Sequence, residues 1–185
     1  MEHASLELYR GQALYFGAQA KHRFDDPAGK YGVLYLGFNL ATVLMESVFH
    51  NHHWWKADEE RQVMLAEVQR RMIRAIGVLS DLTLCDLAAP GAAVKAFGWD
   101  AARLAVRNGP RTRDLSSQIA RLKTKAGQPF DGIVYLSRNN PGDKCIALFE
   151  HAANNILVID DIRLDDHRDW PAFVTQYEIA VGTPL

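Results

Sequence analysis

One stretch of the chain, residues 22–49, runs from a charged loop through an apolar strand into an apolar helix that carries a glutamate, Glu46. The segment 31–36 (YGVLYL) has the β-branched and aromatic side chains that favour strands. Asn39 is a typical N-cap for a helix over residues 40–50. A carboxylate on such a helix is costly to bury without a partner. Any fold of this chain must therefore leave Glu46 in water or give it a partner.

A distant segment, residues 131–150 (DGIVYLSRNNPGDKCIALFE), contains polar residues that could be partners of this glutamate. Its pattern predicts two buried strands, GIVYL at 132–136 and CIALF at 145–149, around an Asn-Asn-Pro-Gly turn. The first strand ends at Ser137 and Arg138. Arginine, tyrosine, glutamate and serine side chains together suit a pocket for a ligand that contains phosphate and sugar.

The remaining elements favour an α+β fold, because strands dominate and the helices do not alternate strictly with them. We predict a mixed central sheet flanked by helices in a single domain over residues 1–185. LELYRG near the start predicts a short strand that presents Arg10. Residues 58–76 fit either a helix or a long amphipathic strand. Residues 112–127 predict an amphipathic helix ended by Gly127.

Composition excludes several classes of protein. A formal net charge of −1 gives no general argument for binding nucleic acid or a membrane surface. No apolar run approaches the roughly 18 residues of a membrane span, and the N-terminus lacks the apolar segment of a secretory signal. We expect a cytoplasmic protein. Cys85 and Cys145 fit buried thiols in a reducing compartment, with one disulfide left open.

Five side chains could carry chemistry: Arg10, Arg23, Tyr35, Glu46 and Ser137. Arginine binds phosphate oxygens through a forked set of donors, and a tyrosine ring can stack on a flat heterocycle. A carboxylate can bind ribose hydroxyls and stabilise positive charge at an anomeric carbon, and a serine can orient that carboxylate or contact the ligand. Composition and spacing alone favour a plainer interpretation, in which Arg23 pairs with a neighbouring aspartate, Tyr35 packs in the core and Glu46 faces water.

The order of the motifs adds information that spacing lacks. The chain resembles the RES-domain family over roughly residues 8–150. Four segments carry the resemblance, in this order: LYRG, HRF–DDPAGKYGVLYLG, ATVLMESVFH and DGIVYLSR–NNPGDKCIALFE. The resemblance implies a fold similar to ADP-ribosyltransferase toxins. It also implies an NAD+-consuming enzyme that is the toxin of a toxin–antitoxin pair, with an Xre-family protein as the antitoxin.

The resemblance also assigns roles to residues. It implies catalytic roles for Arg23, Tyr35, Glu46 and Ser137. It implies NAD+ binding by Arg10, Arg23 and Tyr35, with Tyr31 as a weaker candidate. NAD+ is then a substrate, and no cofactor or metal is expected. Water, inorganic phosphate or a protein side chain could accept the ADP-ribosyl group, and nucleic acid is reached only through the antitoxin. Many relatives carry Gly-Gly-Arg-Trp-Asn-Pro where this chain has His-Arg-Phe-Asp-Asp-Pro at 22–27, which keeps the arginine and changes its neighbours.

Two further clusters have alternative interpretations. The basic segment 107–125 suits an RNA-directed or non-catalytic binding protein, but it has few aromatic residues and is more typical of a solvated helix face. The cluster His50-Asn51-His52-His53 lacks the spacing of a metal site and fits a solvated helix end next to Trp54 and Trp55.

Overall fold

The computed structural model describes residues 1–12, 14–50, 62–105 and 109–182, with the backbone alone at residues 10 and 101. Within these residues the strands are β1 Glu2–Leu6, β2 Val33–Gly37, β3 Gln62–Met64, β4 Arg71–Val78, β5 Leu84–Asp86, β6 Gly132–Leu136, β7 Lys144–Phe149, β8 Ile156–Arg163 and β9 Ala180–Gly182. The α-helices are α1 Leu40–Glu46, α2 Leu65–Gln69, α3 Ala92–Phe97, α4 Ala101–Leu104, α5 Pro110–Arg121 and α6 Trp170–Gln176. Short 3-10 helices span Glu7–Gln12, Glu150–Asn155 and Leu164–Asp166.

Seven of these strands form one sheet in the order β5-β6-β7-β2-β1-β4-β8. The pair β5–β6 is parallel and the other pairs of this sheet are antiparallel, so the sheet is mixed. Strands β3 and β9 form a separate parallel pair. The structure therefore confirms the predicted α+β class with a mixed sheet flanked by helices.

Both faces of the sheet centre are buried. On β2, Val33 belongs to one apolar cluster, which also holds Leu115 and Ile119 of α5. Leu34 and Leu36 belong to a cluster on the opposite face. Successive side chains of a strand point to opposite faces, so a strand buried on both faces is a continuous apolar run. This is why the runs YGVLYL, GIVYL and CIALF predicted their strands correctly.

The sheet is split between β1 and β2. Strand β1 pairs with β4 at five positions, and β2 pairs with β7 at five positions. Between β1 and β2 the only pair of residues in register is Glu2 with Gly37. The two halves of the sheet thus meet at one end of this junction and separate toward the other.

Helix α1 follows the split directly and begins as predicted. The Asn39 side chain accepts a hydrogen bond from the Thr42 amide at 2.8 Å, which is the expected N-cap. The helix ends at Glu46, earlier than the predicted residue 50, because Ser47 leaves the helical conformation and the chain turns to bury Phe49. Glu46 is consequently the last residue of the helix, where its side chain can reach past the helix end.

Three predicted elements were wrong in detail. Residues 7–12 form a 3-10 helix and the strand precedes them, because Leu8 is 72% exposed and has no sheet neighbour to cover it. Residues 62–76 are divided into a strand, a short helix and a second strand, and residues 58–61 lie outside the described part. Helix α5 ends at Arg121, and Gly127 lies in a turn with φ of +81°.

Gly37, at the end of β2, lets α1 approach the sheet closely. A Cβ atom on Gly37 would lie 2.6 Å from Cγ2 of Val43, inside van der Waals contact. We predict that Gly37→Ala lowers the free energy of unfolding by about 1–3 kcal/mol, the usual cost of overpacking. Urea unfolding measures this change. Gly11→Ala is the control, since no atom lies within 4 Å of a Cβ there, and it should change stability by less than about 0.5 kcal/mol. Equal effects of the two substitutions would show that the close approach is not needed.

Candidate active site

A cavity of about 500 Å³ opens where the sheet is split. Its walls come from β1, β2, the loop before β2, helix α1 and the end of β6. The described residues that line it are His3, Ala4, Lys21, His22, Arg23, Tyr35, Leu36, Gly37, Thr42, Val43, Glu46, Ser47, His50, Tyr135, Arg138 and Cys145.

The loop that carries Arg23 is held by its own aspartate. The Asp25 carboxylate accepts hydrogen bonds at 2.9 Å from the amides of Lys21 and His22. Its other oxygen accepts a hydrogen bond from the Tyr35 hydroxyl, also at 2.9 Å. The backbone around Arg23 is therefore fixed from both sides.

Tyr35 completes this brace. Its hydroxyl donates to Asp25 and accepts from the Phe24 amide at 2.9 Å, so both of its hydrogen-bonding functions are used inside the protein. Burial, together with the negative charge of Asp25, raises the pKa of Tyr35 well above its usual value. The phenol therefore stays protonated. Its ring lies edge-on to the His22 ring, with centroids 5.6 Å apart.

The Arg23 side chain is almost fully buried, with 9% of its surface exposed. Its guanidinium carbon lies 4.9 Å from the ring centroid of Tyr135 and 5.2 Å from that of Phe24. One terminal nitrogen donates to the Leu104 carbonyl. The other two nitrogens, Nε and Nη1, are buried and make no hydrogen bond within the described residues. Unsatisfied buried donors of a charged group are costly, and an anionic ligand would satisfy them.

Glu46 does have a partner at the end of the distant strand. Its Oε1 atom accepts three hydrogen bonds: from the Ser137 hydroxyl at 2.7 Å, the Arg138 amide at 2.7 Å and the Asn139 amide at 3.0 Å. Within the described part of the chain, no hydrogen bond reaches Oε2. One oxygen of the carboxylate is thus anchored and the other is left for a ligand.

Ser137 acts as an orienting group. It is 5% exposed, and its hydroxyl donates to Glu46 while it accepts from the Asn140 amide at 2.9 Å. Its own amide donates to the Asp143 carbonyl at 2.8 Å. With its proton directed at a carboxylate and its lone pair in use, this hydroxyl is a positioning group for Glu46.

Asp143 ties the turn after β6 to the start of α1. A single oxygen of its carboxylate accepts from Asn39 at 3.0 Å, from the Thr42 hydroxyl at 2.7 Å and from Asn140 at 2.8 Å. The hydrogen bonds from Asn39 and Thr42 lower the pKa of Asp143 below its usual value. Apart from turn-forming residue types, no sequence pattern distinguishes this cluster.

The electrostatic character of the cavity is strongly one-sided. Among the described residues that line it, Lys21, Arg23 and Arg138 are cations and three more are histidines, whereas Glu46 is the single carboxylate. Such a cavity attracts an anion and places one negative charge beside it. Arg138 was not among the predicted site residues, although its position directly after Ser137 is a signal that could have found it.

A family model described as RES domain matches residues 8–171 of the 185-residue chain. The chain belongs to the RES family. This membership confirms the resemblance carried by the motifs, and it extends the match beyond residue 150. The family is associated with toxin–antitoxin systems and with NAD-related enzymatic toxins. A comparison with curated proteins gives no match.

In this RES domain the structure brings together most of the predicted site residues. Arg23, Tyr35 and Glu46 line one cavity, and Ser137 is bonded to Glu46. Tyr31 lies elsewhere: it lines a second groove beside α5, and its hydroxyl is 3.3 Å from that of Ser116. The backbone of Arg10 lies on the 3-10 helix that follows β1, and its side chain is outside the described atoms.

The plainer interpretation of these residues does not fit the RES domain. Arg23 makes no ion pair with Asp25 or Asp26, whose carboxylates instead accept hydrogen bonds from backbone amides of their own loop. The hydroxyl of Tyr35 is bonded to that loop, so the residue is more than core packing. Glu46 is bonded to a strand end and is not simply solvated.

The structure describes the other sequence clusters in part, and His50 and Cys145 from them line the cavity. Helix α5 ends before Lys123 and Lys125, so the basic segment 107–125 is not one helix face, and Arg107 falls outside the described residues. His52 and His53 also fall outside them. The cysteines are unpaired thiols, so the disulfide that the sequence left open is not formed. Burial raises the pKa of the Cys145 thiol in the cavity wall to about 12.

Two classes of site are absent from the part of the chain that the structure describes. No group of three or more His, Cys, Asp or Glu side chains there is arranged to hold a metal ion. No helix in the same residues is long and apolar enough to cross a membrane.

Removing the Tyr35 hydroxyl tests the brace of the Arg23 loop. Tyr35→Phe leaves the Phe24 amide and one Asp25 oxygen without a partner, so we predict a loss of about 1–3 kcal/mol in the free energy of unfolding. Urea unfolding measures it. Tyr15→Phe is the control, because Tyr15 is exposed and its hydroxyl makes no hydrogen bond within the described residues. A loss no larger than that of the control would contradict the brace.

The lowered pKa of Asp143 predicts a dependence of stability on pH. A carboxyl group whose pKa is lower in the folded state stabilises the protein above its unfolded pKa, here near 3.8, and this contribution disappears as the pH falls through the folded value. We predict that Asp143→Asn costs about 1 kcal/mol at pH 7, since the charge of the acceptor is lost. The difference from wild type should shrink below pH 3.8 in urea unfolding at several pH values. The exposed Asp81→Asn is the control, and a difference that persists unchanged in acid would refute the assignment.

Proposed function

We propose that this RES domain is a cytoplasmic NAD+-consuming toxin that cleaves the bond between nicotinamide and ribose. The observation that carries the proposal is the anchored carboxylate of Glu46, with one free oxygen, in a cavity whose other charged lining residues are cations. NAD+ combines the groups that such a cavity suits: an anionic diphosphate, ribose hydroxyls and a cationic leaving group.

The diphosphate binds to the basic side of the cavity. Two buried nitrogens of Arg23, Nε and Nη1, have no partner within the described residues, and a forked guanidinium matches phosphate oxygens. Lys21 and Arg138 line the same cavity and add positive charge. Arg10 joins this set through the family resemblance alone.

Glu46 stabilises the transition state. Its free Oε2 accepts hydrogen bonds from the hydroxyls of the nicotinamide-side ribose and faces the positive charge that develops at the anomeric carbon as nicotinamide leaves. The Ser137 hydroxyl and two backbone amides hold Oε1 before the substrate arrives. Such preorganised groups need not rearrange during the reaction, which is the usual source of their effect on rate.

Tyr35 acts at two levels. Its hydroxyl braces the loop that presents Arg23, and Tyr35 lines the cavity. The aromatic surface provides an apolar contact for the flat nicotinamide ring.

The partner follows from the consequence of the reaction. An enzyme that depletes NAD+ harms its own cell, so it must be restrained, and covering the cavity is the direct way. An Xre-family antitoxin is the proposed partner, with nucleic acid contacted by that partner. NAD+ is consumed as a substrate, so no bound cofactor is required.

Replacement of Glu46 by glutamine tests the reaction. The Oε1 atom of glutamine can still accept the three hydrogen bonds, so Glu46→Gln should keep the fold. The substitution removes the negative charge and replaces the free Oε2 atom with an amide nitrogen. We predict that the rate of nicotinamide release from NAD+ falls by about 10²–10³-fold or more. Release of free nicotinamide by the purified chain, measured by chromatography, gives the rate.

Glu7→Gln is the matched control, because Glu7 is an exposed glutamate that does not line the cavity. It should release nicotinamide at the wild-type rate. Unchanged release by Glu46→Gln would refute the role of the carboxylate. No release by the wild-type protein, combined with salt-sensitive binding or cleavage of RNA, would replace the proposal with an RNA-directed function of the basic segment 107–125.

A further inference from the structure

His3 bridges the split in the sheet. It lies on β1, whose backbone is held by β4, and its ring nitrogen Nδ1 is 2.9 Å from the carbonyl oxygen of Tyr35 on β2. A carbonyl oxygen only accepts hydrogen bonds, so Nδ1 carries the proton and donates it. The ring orientation and the tautomer are therefore both fixed. His3 precedes residues 8–171, the range that matches the RES domain.

The second ring nitrogen of His3 is left for the cavity. Nε2 makes no hydrogen bond within the described residues, and it is not among the buried polar atoms without a partner, so it keeps contact with solvent. His3 and Glu46 line the same cavity. With the proton on Nδ1, a neutral ring has its lone pair on Nε2.

The surroundings of His3 favour this neutral form. Burial lowers its pKa below the usual value, and the positive charge of Arg74 on the neighbouring strand β4 acts in the same direction. Arg74 itself is fully buried beside His3 in the sheet register. On the cavity side the charged and titratable groups are Lys21, His22, Arg23, Glu46, His50, Tyr35, Tyr135, Arg138 and Cys145. With the tyrosines and the cysteine neutral, Glu46 is the one negative charge among these side chains. It alone would favour the protonated form of the His3 ring electrostatically.

The other two histidines of the cavity lack this combination. His22 and His50 are exposed, whereas His3 is partly buried at the base of the split. The His22 ring makes a ring contact with Tyr35 and no hydrogen bond within the described residues. His50 has a comparable contact from Nδ1 to the Ser47 carbonyl, but it is exposed, so His3 is the histidine of this cavity that combines a fixed tautomer with partial burial.

We propose that His3 is the general base that activates the acceptor of the ADP-ribosyl group, and that this acceptor is a hydroxyl compound, water in the simplest case. The inference rests on the proposed function. The bond between the nicotinamide nitrogen and the anomeric carbon breaks, and its electron pair stays with nicotinamide, which leaves neutral. The acceptor oxygen forms a bond to that carbon, and its proton passes to Nε2 of His3 and then to solvent. With water the products are ADP-ribose, nicotinamide and one proton.

The base has a consequence for the choice of acceptor. Water and alcohols must lose a proton as they attack, whereas a phosphate dianion is already a nucleophile without this help. A cavity with a built-in base is therefore suited to hydroxyl acceptors. Phosphate remains a competitor whose attack does not depend on His3.

The test uses the full chain, NAD+ as the probe and the variant His3→Asn. The Nδ2 group of asparagine can still donate to the Tyr35 carbonyl, so the bridge is kept and only the Nε2 acceptor is removed. We expect hydrolysis to fall by about 10²–10⁴-fold. Wild type should lose activity as the pH falls through the pKa of His3, below the ordinary 6.5, because the active form is the neutral ring. His3→Asn should lack this acid limb.

A second variant guards against a purely structural effect. His3→Ala removes both the bridge and the base, and added imidazole should restore part of its hydrolysis in proportion to the neutral fraction of imidazole. The assignment is overturned if His3→Asn hydrolyses NAD+ at the wild-type rate. It is also overturned if His3→Asn is slower but still loses activity at low pH as wild type does, and imidazole does not rescue His3→Ala. If wild type hydrolyses NAD+ and Glu46→Gln does not, such a result removes His3 alone. If wild type releases no nicotinamide, the proposed function itself fails.

Discussion

The three hydrogen bonds to Oε1 of Glu46 connect residues that are 91 to 93 positions apart in the chain. Their donors lie at the end of β6, while the carboxylate belongs to the end of α1, on the other side of β7 and β2. A buried or half-buried carboxylate needs such donors, because burial removes the water that would otherwise solvate it. The polar turn after β6 supplies these donors. Asp143 and Asn39 then fix that turn to the start of the same helix.

The cavity combines this anchored anion with an arginine that the protein itself does not satisfy. Arg23 is held by an aspartate-braced loop, two aromatic rings and one carbonyl, and two of its nitrogens are buried without a hydrogen bond in the described structure. Its position is set by the backbone and by ring contacts, so a ligand does not have to order it. Membership of the RES family indicates a toxin–antitoxin-associated, NAD-related function in general, and the more specific chemistry proposed above depends on this arrangement.

How much the sequence could predict follows from how local each feature is. The central strands were predictable because burial on both faces leaves a continuous apolar run, and the Asn39 cap is a contact over three residues. The family pattern identified Glu46 and Ser137 as members of one site, but their direct bond joins residues 91 positions apart. His3 gave no signal, because its role depends on which strands part from one another. That separation is a property of the sheet register and leaves no trace in a window of sequence.

The order of the strands in the sheet also determines when, during synthesis and folding, the site can form. Strand β6 reaches the neighbourhood of Glu46 only through β7, which lies between β6 and β2 in the sheet. During synthesis the chain therefore carries Glu46 for a long time before Ser137 and the strand that positions it have been made. Contacts of such large sequence separation form late and slowly, because the closure of a long loop precedes them. A chain that ends before residue 149 lacks part of β7, the strand that lies between β6 and β2 and so sets Ser137 beside Glu46.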